Sequence, residues 1–145
     1  MAKEKIAVSA CLLGCNCKYN GGNNHHPGVI AFCADKDVIP VCPEVLAGLP
    51  TPRTPMEIVN GRMTDRNGAD HHDAMMEAVD TLLRQLQRDG VHRAILQSRS
   101  PSCGVKEIYD GSFSGKKIPG AGVFAGALRE AGILTLDAEE FKTET

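Results

Sequence analysis

Short apolar runs separated by polar, glycine-rich stretches set the pattern of this chain. KIAVSA (5–10), VIPV (38–41) and VHRAILQ (91–97) predict the core strands, and GILTLD (132–137) predicts a last one before a terminal helical turn. The segment 69–89 differs. Ala74, Met75, Ala78, Val79, Leu82, Leu83 and Leu86 recur at three- and four-residue spacing. That predicts a long helix, with Asp70 as N-cap and Gly90 as its stop. VIAFCA (29–34) predicts a short helix, VLAGL a helical turn, and GAGVFAGALREAG (120–132) a helix of small residues. Asn60-Gly61 between two short runs predicts a hairpin over 57–65. Three prolines in six residues make 49–55 a stiff, extended path. Residues 98–122 predict a long loop, with one strand near 105–109.

Strands alternating with helices predict an α/β fold. The expectation is one domain over 1–145, with a mainly parallel central sheet, helices on both faces in a Rossmann-like layout, and a small β-hairpin excursion. Ligands in such sheets bind beyond the carboxyl ends of the strands. GAGVFAG has the wrong spacing for a dinucleotide fingerprint, so no nicotinamide is expected.

Composition narrows the classes. Apolar residues at 42% and charged residues at 23% are an ordinary globular balance. Aromatics at 4% with no Trp leave the core to Val, Ile, Leu and Ala. A net charge of −2 gives no basic surface for bulk nucleic-acid binding, so DNA is not an expected partner. No run approaches the ~18 apolar residues of a membrane span, and the first residues lack a signal-peptide cleavage pattern. The expected compartment is the cytoplasm, where thiols stay reduced. Six cysteines there point to metal ligands or reactive thiols before disulfides. Cys33, and less firmly Cys15, read as small buried hydrophobes.

Cys11, Cys42 and Cys103 each follow a separate apolar run, so the predicted topology brings them to one end of the sheet. Three soft thiolates suit zinc or an iron–sulfur cluster. Zinc would take a fourth ligand, which His25, His26 or Cys17 could supply. A four-iron cluster on three cysteines would leave one iron open as a Lewis acid. Spacing alone does not decide among Cys11, Cys15 and Cys17. Glu44, two residues after Cys42, could serve as general base; glutamates in loops are more often solvated. Ser98, Ser100 and Ser102 precede or flank Cys103, and Ser100 is the first choice for binding substrate or relaying a proton. Arg53 and Arg99 could bind an anion, although each alone is more often solvated. His71 and His72 suit capping or solvated roles, and Met63, Met75 and Met76 suit packing. A non-catalytic zinc- or cluster-binding sensor or sulfur-carrier module, and a thiol redox protein using Cys15 and Cys17 or Cys11, are the competing classes.

Four motifs in order carry a family resemblance: SACLLG at 9–14, CKYNG at 17–21, CPEVLAGLPTPR at 42–53 and SPSCG at 100–104. Together they resemble the thiouracil desulfidase family, from Ile6 to about Ala131. The resemblance implies a compact α/β fold and an oxygen-sensitive [4Fe–4S] cluster on three cysteines, here Cys11, Cys42 and Cys103. It implies an enzyme whose open iron takes the thiocarbonyl sulfur of a thiouracil, with water replacing sulfur by oxygen and no net redox change. The substrate would be a small thiolated nucleobase. Glu44 would be catalytic, with Ser100 as its partner. Cys15 is an additional thiol relative to the family pattern, Asn23–His26 matches no family pattern, and Gln97 stands where many members carry a lysine.

Overall fold

A computed structural model describes residues 3–141; the remaining ends of the expected 1–145 domain lie outside the described residues. Four parallel strands form the central sheet in the order β2-β1-β5-β8. They are β1 (Lys5–Ser9), β2 (Asp37–Val41), β5 (Arg93–Leu96) and β8 (Leu134–Asp137). β1 pairs with β2 from Lys5↔Asp37 to Ser9↔Val41 and with β5 from Ile6↔Arg93 to Val8↔Ile95. The two central strands are buried on both sides, which is why they read as unbroken apolar runs. β2 lies at the sheet edge, where Pro40 removes no hydrogen bond that a further strand would need.

Helices cover both faces, unequally. On one face α3 (His72–Arg88) and α4 (Val123–Glu130) bury Val79, Leu82, Leu86, Phe124 and Leu128 against Ala7, Ala94 and Leu96. The other face is closed by short pieces: α1 (Pro27–Phe32) and 3-10 turns at Ala10–Leu13, Cys33–Asp35 and Ala138–Glu140. There Ile6, Val8 and Ile95 pack with Leu12, Val29, Cys33 and Ala138. Cys33 is thus the small buried hydrophobe expected of it. Among the described residues no helix is long and apolar enough to cross a membrane.

The hairpin forms as β3 (Met56–Val59) and β4 (Arg62–Asp65), turned by Asn60 and Gly61 at φ 52° and 77°. Both central residues in the left-handed region define the turn whose twist matches a two-stranded ribbon. Met63 and Met75 pack together beneath it, as expected of core methionines, whereas Met76 is partly exposed. The loop 98–122 contains two short paired strands, β6 (Glu107–Tyr109) and β7 (Lys117–Pro119), rather than the one expected. β7 gives no periodic signal because all three of its residues are exposed. The helix at 29–34 begins two residues earlier, with Pro27 in its first turn and the His26 ring accepting from the Val29 N–H at 3.1 Å.

The long helix starts three residues later than its periodicity suggests. Asp70 does not occupy the N-cap position, which falls on His71. Its Oδ1 instead accepts from the His72 N–H at 2.8 Å, and its Oδ2 pairs with Arg62 at 2.6 Å. Asp65 organises the same turn: Oδ1 accepts from the Asn67 and Ala69 N–H groups at 2.9 Å each, and Oδ2 meets His71 Nε2 at 3.0 Å. His72 Nδ1 faces the Met63 N–H at 3.3 Å. Both histidines therefore brace the hairpin against the helix.

The His71 contact first, and then the backbone N–H groups, hold the Asp65 carboxyl below its ordinary range. A depressed folded value means that this stabilisation is present above the unfolded carboxyl range, near pH ~4, and is lost as pH falls through the folded value. Asp65→Asn should therefore lower stability at pH 7 by about 1 kcal/mol. The gap from the parent should narrow in urea melts repeated near pH 3. An equal gap at both pH values would show that the charge contributes nothing.

Candidate active site

Parallel pairing places the ends of β1, β2 and β5 on one side of the sheet, and a cavity of about 550 Å³ opens there. Cys11, Cys42, Cys103, Glu44 and Ser100 all line it. Each cysteine arrives differently. Cys11 sits in the 3-10 turn directly after β1. Cys42 follows β2 and precedes α2 (Pro43–Leu46), whose first position is taken by the proline that ends the strand. Cys103 lies in the turn that follows β5, and that turn is bound to the start of α4. The Val123 N–H donates to Pro101 O at 3.0 Å, and the Phe124 and Ala125 N–H groups donate to Ser102 O at 2.8 and 3.1 Å. The cysteine turn thus satisfies N–H groups that a helix start leaves without partners.

Polar side chains lie beside two of the sulfur atoms. Asn24 Nδ2 stands 3.6 Å from Cys11 Sγ, and Ser102 Oγ stands 3.7 Å from Cys103 Sγ. Burial pushes the Cys103 thiol up to about 12, against the opposing pull of the Ser9 and Ser102 hydroxyls. Burial also raises Cys11, with Asn24 again opposing. Thiols in such surroundings stay protonated until a cation arrives, and binding one displaces the protons. All six cysteines are free. Cys17 is buried and lines the same cavity, its thiol raised by burial and by the neighbouring Cys42 and Cys15. Cys15 is exposed, which corrects its reading as a buried hydrophobe.

Among the described residues, no three His, Cys, Asp or Glu side chains gather closely enough to hold one metal ion. Cys11, Cys42 and Cys103 surround a space instead of meeting at a point. Three soft donors around a space fit a polynuclear iron–sulfur group better than a closed tetrahedral zinc. The histidines considered as a fourth zinc ligand do not line the cavity, and the His26 ring is engaged as a helix cap.

Glu44 stands beside these thiols, 15% exposed. Its Oε2 accepts from Ser102 Oγ at 3.1 Å, and its Oε1 lies 3.5 Å from Arg53 Nε. Ser102, not Ser100, therefore touches the carboxylate directly. Ser100 Oγ accepts from the Ser102 and Cys103 N–H groups at 3.2 and 3.1 Å and lies 3.0 Å from Ser102 Oγ. Two acceptances use both lone pairs of that hydroxyl, so its proton is the part left to give. The order of donation is Ser100 to Ser102 to Glu44. Ser98 takes no part: its hydroxyl donates to Asp137 at 2.5 Å, away from the carboxylate. Arg99 pairs with Glu107 and Glu139. The Arg53 side chain is buried, contrary to the solvated role its sequence context suggests.

Asn24, Ser102 and Arg53 are the residues that sequence reasoning passed over or misjudged. The first belongs to the unassigned Asn23–His26 stretch, whose backbone folds back onto Cys11 O and Leu12 O. Ser102 and Ser100 are chemically equivalent in sequence, and only the turn geometry separates their roles.

Fold and pocket together define an α/β domain whose strand ends present a thiol-lined cavity with a carboxylate beside it. The chain matches the family model described as 2-thiouracil desulfurase over residues 6–140, and so belongs to the 2-thiouracil desulfurase family. It is similar to the uncharacterized protein YbbK of Bacillus subtilis (strain 168), with 36% identity in an alignment that covers 93% of this chain and 96% of that protein. It is also similar to the solved structure of a [4Fe-4S]-dependent thiouracil desulfidase, TudS (DUF523Vcz). That match has a TM-score of 0.89 and 35% identity, covering 95% of this chain and 93% of the other.

Gly122 tests how the Cys103 turn is held. A Cβ there would lie 2.4 Å from the Ser102 carbonyl carbon and 2.8 Å from the Cys103 nitrogen. Its φ of −65° suits any residue, so the effect of a side chain is steric alone. Gly122→Ala should cost about 1–3 kcal/mol and push the turn outward. The expected result is a lower urea midpoint and faster maleimide labelling of Cys103. Unchanged values of both would show that the turn relaxes freely.

Proposed function

We propose that this protein removes sulfur from a thiolated pyrimidine base by hydrolysis, converting a thiouracil and water to uracil and sulfide without net redox change. The observation that carries the reading is the shared cavity of Cys11, Cys42, Cys103 and Glu44 at the ends of three parallel strands. Family membership and the likeness to a [4Fe-4S]-dependent desulfidase support it. Cys11, Cys42 and Cys103 would hold a [4Fe–4S] cluster. When bound, the cluster supplies a Lewis acid through the iron that lacks a protein thiolate.

The remaining chemistry belongs to the chain. Glu44 is the base: it takes a proton from the attacking water, or manages the ring N–H of the substrate, from a position two residues after a ligand. Ser102 holds the carboxylate by one oxygen and leaves lone pairs of the other free for that proton. Ser100 lines the cavity and is the next group in the same chain of hydroxyls, so it orients Ser102 and, through it, the base. Tyr109 and Phe113 line the same cavity and give a planar heterocycle apolar surface to rest on.

Anaerobic reconstitution with iron and sulfide, followed by 4-thiouracil turnover, tests the proposal. The parent protein should turn brown and form uracil and sulfide. Cys42→Ala should lose colour and activity together. Glu44→Gln should keep the colour and lose about 10²–10⁴ in kcat. Ser102→Ala, which frees one carboxylate oxygen, should lose roughly tenfold in kcat with little change in colour. A protein that takes up no iron, or an active Glu44→Gln, would overturn the corresponding part.

A further inference from the structure

We propose that Arg53 is a positioning residue that fixes the Glu44 carboxylate from the side opposite Ser102. The proposal rests on the reading of Glu44 as the base. Arg53 emerges from the proline-rich segment, just after the cis Thr51–Pro52 bond, and only 6% of its side chain is exposed. Three of the four N–H groups at its far end are engaged. Nη1 donates to Pro50 O at 3.2 Å and to Thr51 Oγ1 at 3.0 Å, and Nη2 donates to Cys17 O at 2.9 Å. These contacts fix a planar guanidinium in place.

Nε is the exception. It is buried and has no hydrogen-bond partner among the described residues. Native structures leave few buried donors unmade, and those that remain call for an explanation. A carboxylate oxygen, Glu44 Oε1, stands 3.5 Å away. Glu44 therefore lies between one donor that is made, from Ser102, and one that is charged and unmade. A small rotation of the carboxylate would complete the second bond with no movement of Arg53. The guanidinium, held by its backbone contacts at the wall of the same cavity, thus sets the orientation of Glu44.

Arg53 also ties the segment of Cys17 to the turn of Cys42 and Glu44, so a purely structural role must be separated from a positioning one. Arg53→Gln, Arg53→Lys, Glu44→Gln and the double variant Arg53→Gln/Glu44→Gln are compared as cluster-loaded proteins. Iron per chain, kcat and KM for 4-thiouracil are measured in each. If Arg53 acts through Glu44, Arg53→Gln keeps its iron, loses roughly tenfold or more in kcat, and changes KM by less than about threefold. The double variant is then no slower than Glu44→Gln alone, because the two losses do not multiply. Arg53→Lys, which keeps the charge but not the fork, recovers part of kcat.

The proposal is overturned if Arg53→Gln keeps parental kcat while Glu44→Gln is inactive, or if the two losses multiply. If Glu44→Gln is itself active, the base assignment falls and the proposal falls with it. If Arg53→Gln loads poorly, kcat per bound iron in Arg53→Lys decides, a value as low as that of Arg53→Gln counting against positioning. A crystal structure of Arg53→Gln provides a readout independent of activity. The Glu44 carboxylate should have turned away from Ser102 Oγ, and a carboxylate still in place would overturn the proposal.

Discussion

Parallel pairing of β1 with both β2 and β5 is the constraint on which the pocket depends. Three strands running the same way must leave the sheet at the same end. Cys11 and Cys42 follow β1 and β2 directly, and the turn after β5 needs only six residues to reach Cys103. Reversing β2 alone would carry Cys42 and Glu44 to the far side of the sheet. Parallel strands in turn require crossover connections and cover on both faces. The helices α3 and α4 and the short helical turns opposite them are thus conditions for the site as well as for the core.

The turns that carry the cysteines are held by backbone contacts more than by side-chain packing. Two N–H groups at the start of α4 donate to Ser102 O, and Gly122 allows the approach because it has no Cβ. On the other side, Asn24 N–H donates to Cys11 O at 2.9 Å while its side chain reaches the Cys11 sulfur. Each contact satisfies a polar group that burial would otherwise penalise. Positions of the sulfur atoms are therefore set by hydrogen bonds within the chain itself. Burial is the largest influence opposing the charged thiolates, and it is through cation binding that this cost would be met.

The sheet was legible in the sequence because its central strands are buried on both sides and therefore read as continuous apolar runs. The long helix was legible because one stripe of it is buried, though its start was not. Asp70 looks like an N-cap in sequence, but Arg62 on the neighbouring hairpin claims its side chain, and that contact is invisible to periodicity. β7 escaped for a similar reason, since three exposed residues carry no alternation. In the pocket, the shared location of Cys11, Cys42 and Cys103 followed from topology. The pairing of Glu44 with Ser102 instead of Ser100 did not, because it depends on which hydroxyl of a tight turn comes within reach of the carboxylate. Burial of Arg53 was hidden in the same way: its partners are carbonyls at Pro50 and Cys17, and carbonyls have no sequence signature.

The placement of Glu44 argues for chemistry over structure. A carboxylate beside three prospective thiolates adds like charge to a desolvated site, and its charge raises the Cys103 thiol further. A site that only held a metal would be served better by an apolar side chain at position 44, which would carry no such repulsion. The chain instead keeps the acid and surrounds it with compensation. Ser102 donates to one oxygen, the buried Arg53 faces the other, and Lys18 and Arg66 line the same cavity. Burying an arginine with an unmade N–H is itself unfavourable. Two unfavourable placements that compensate one another are understandable where the carboxylate has a proton to move. They have no evident use in a passive metal site.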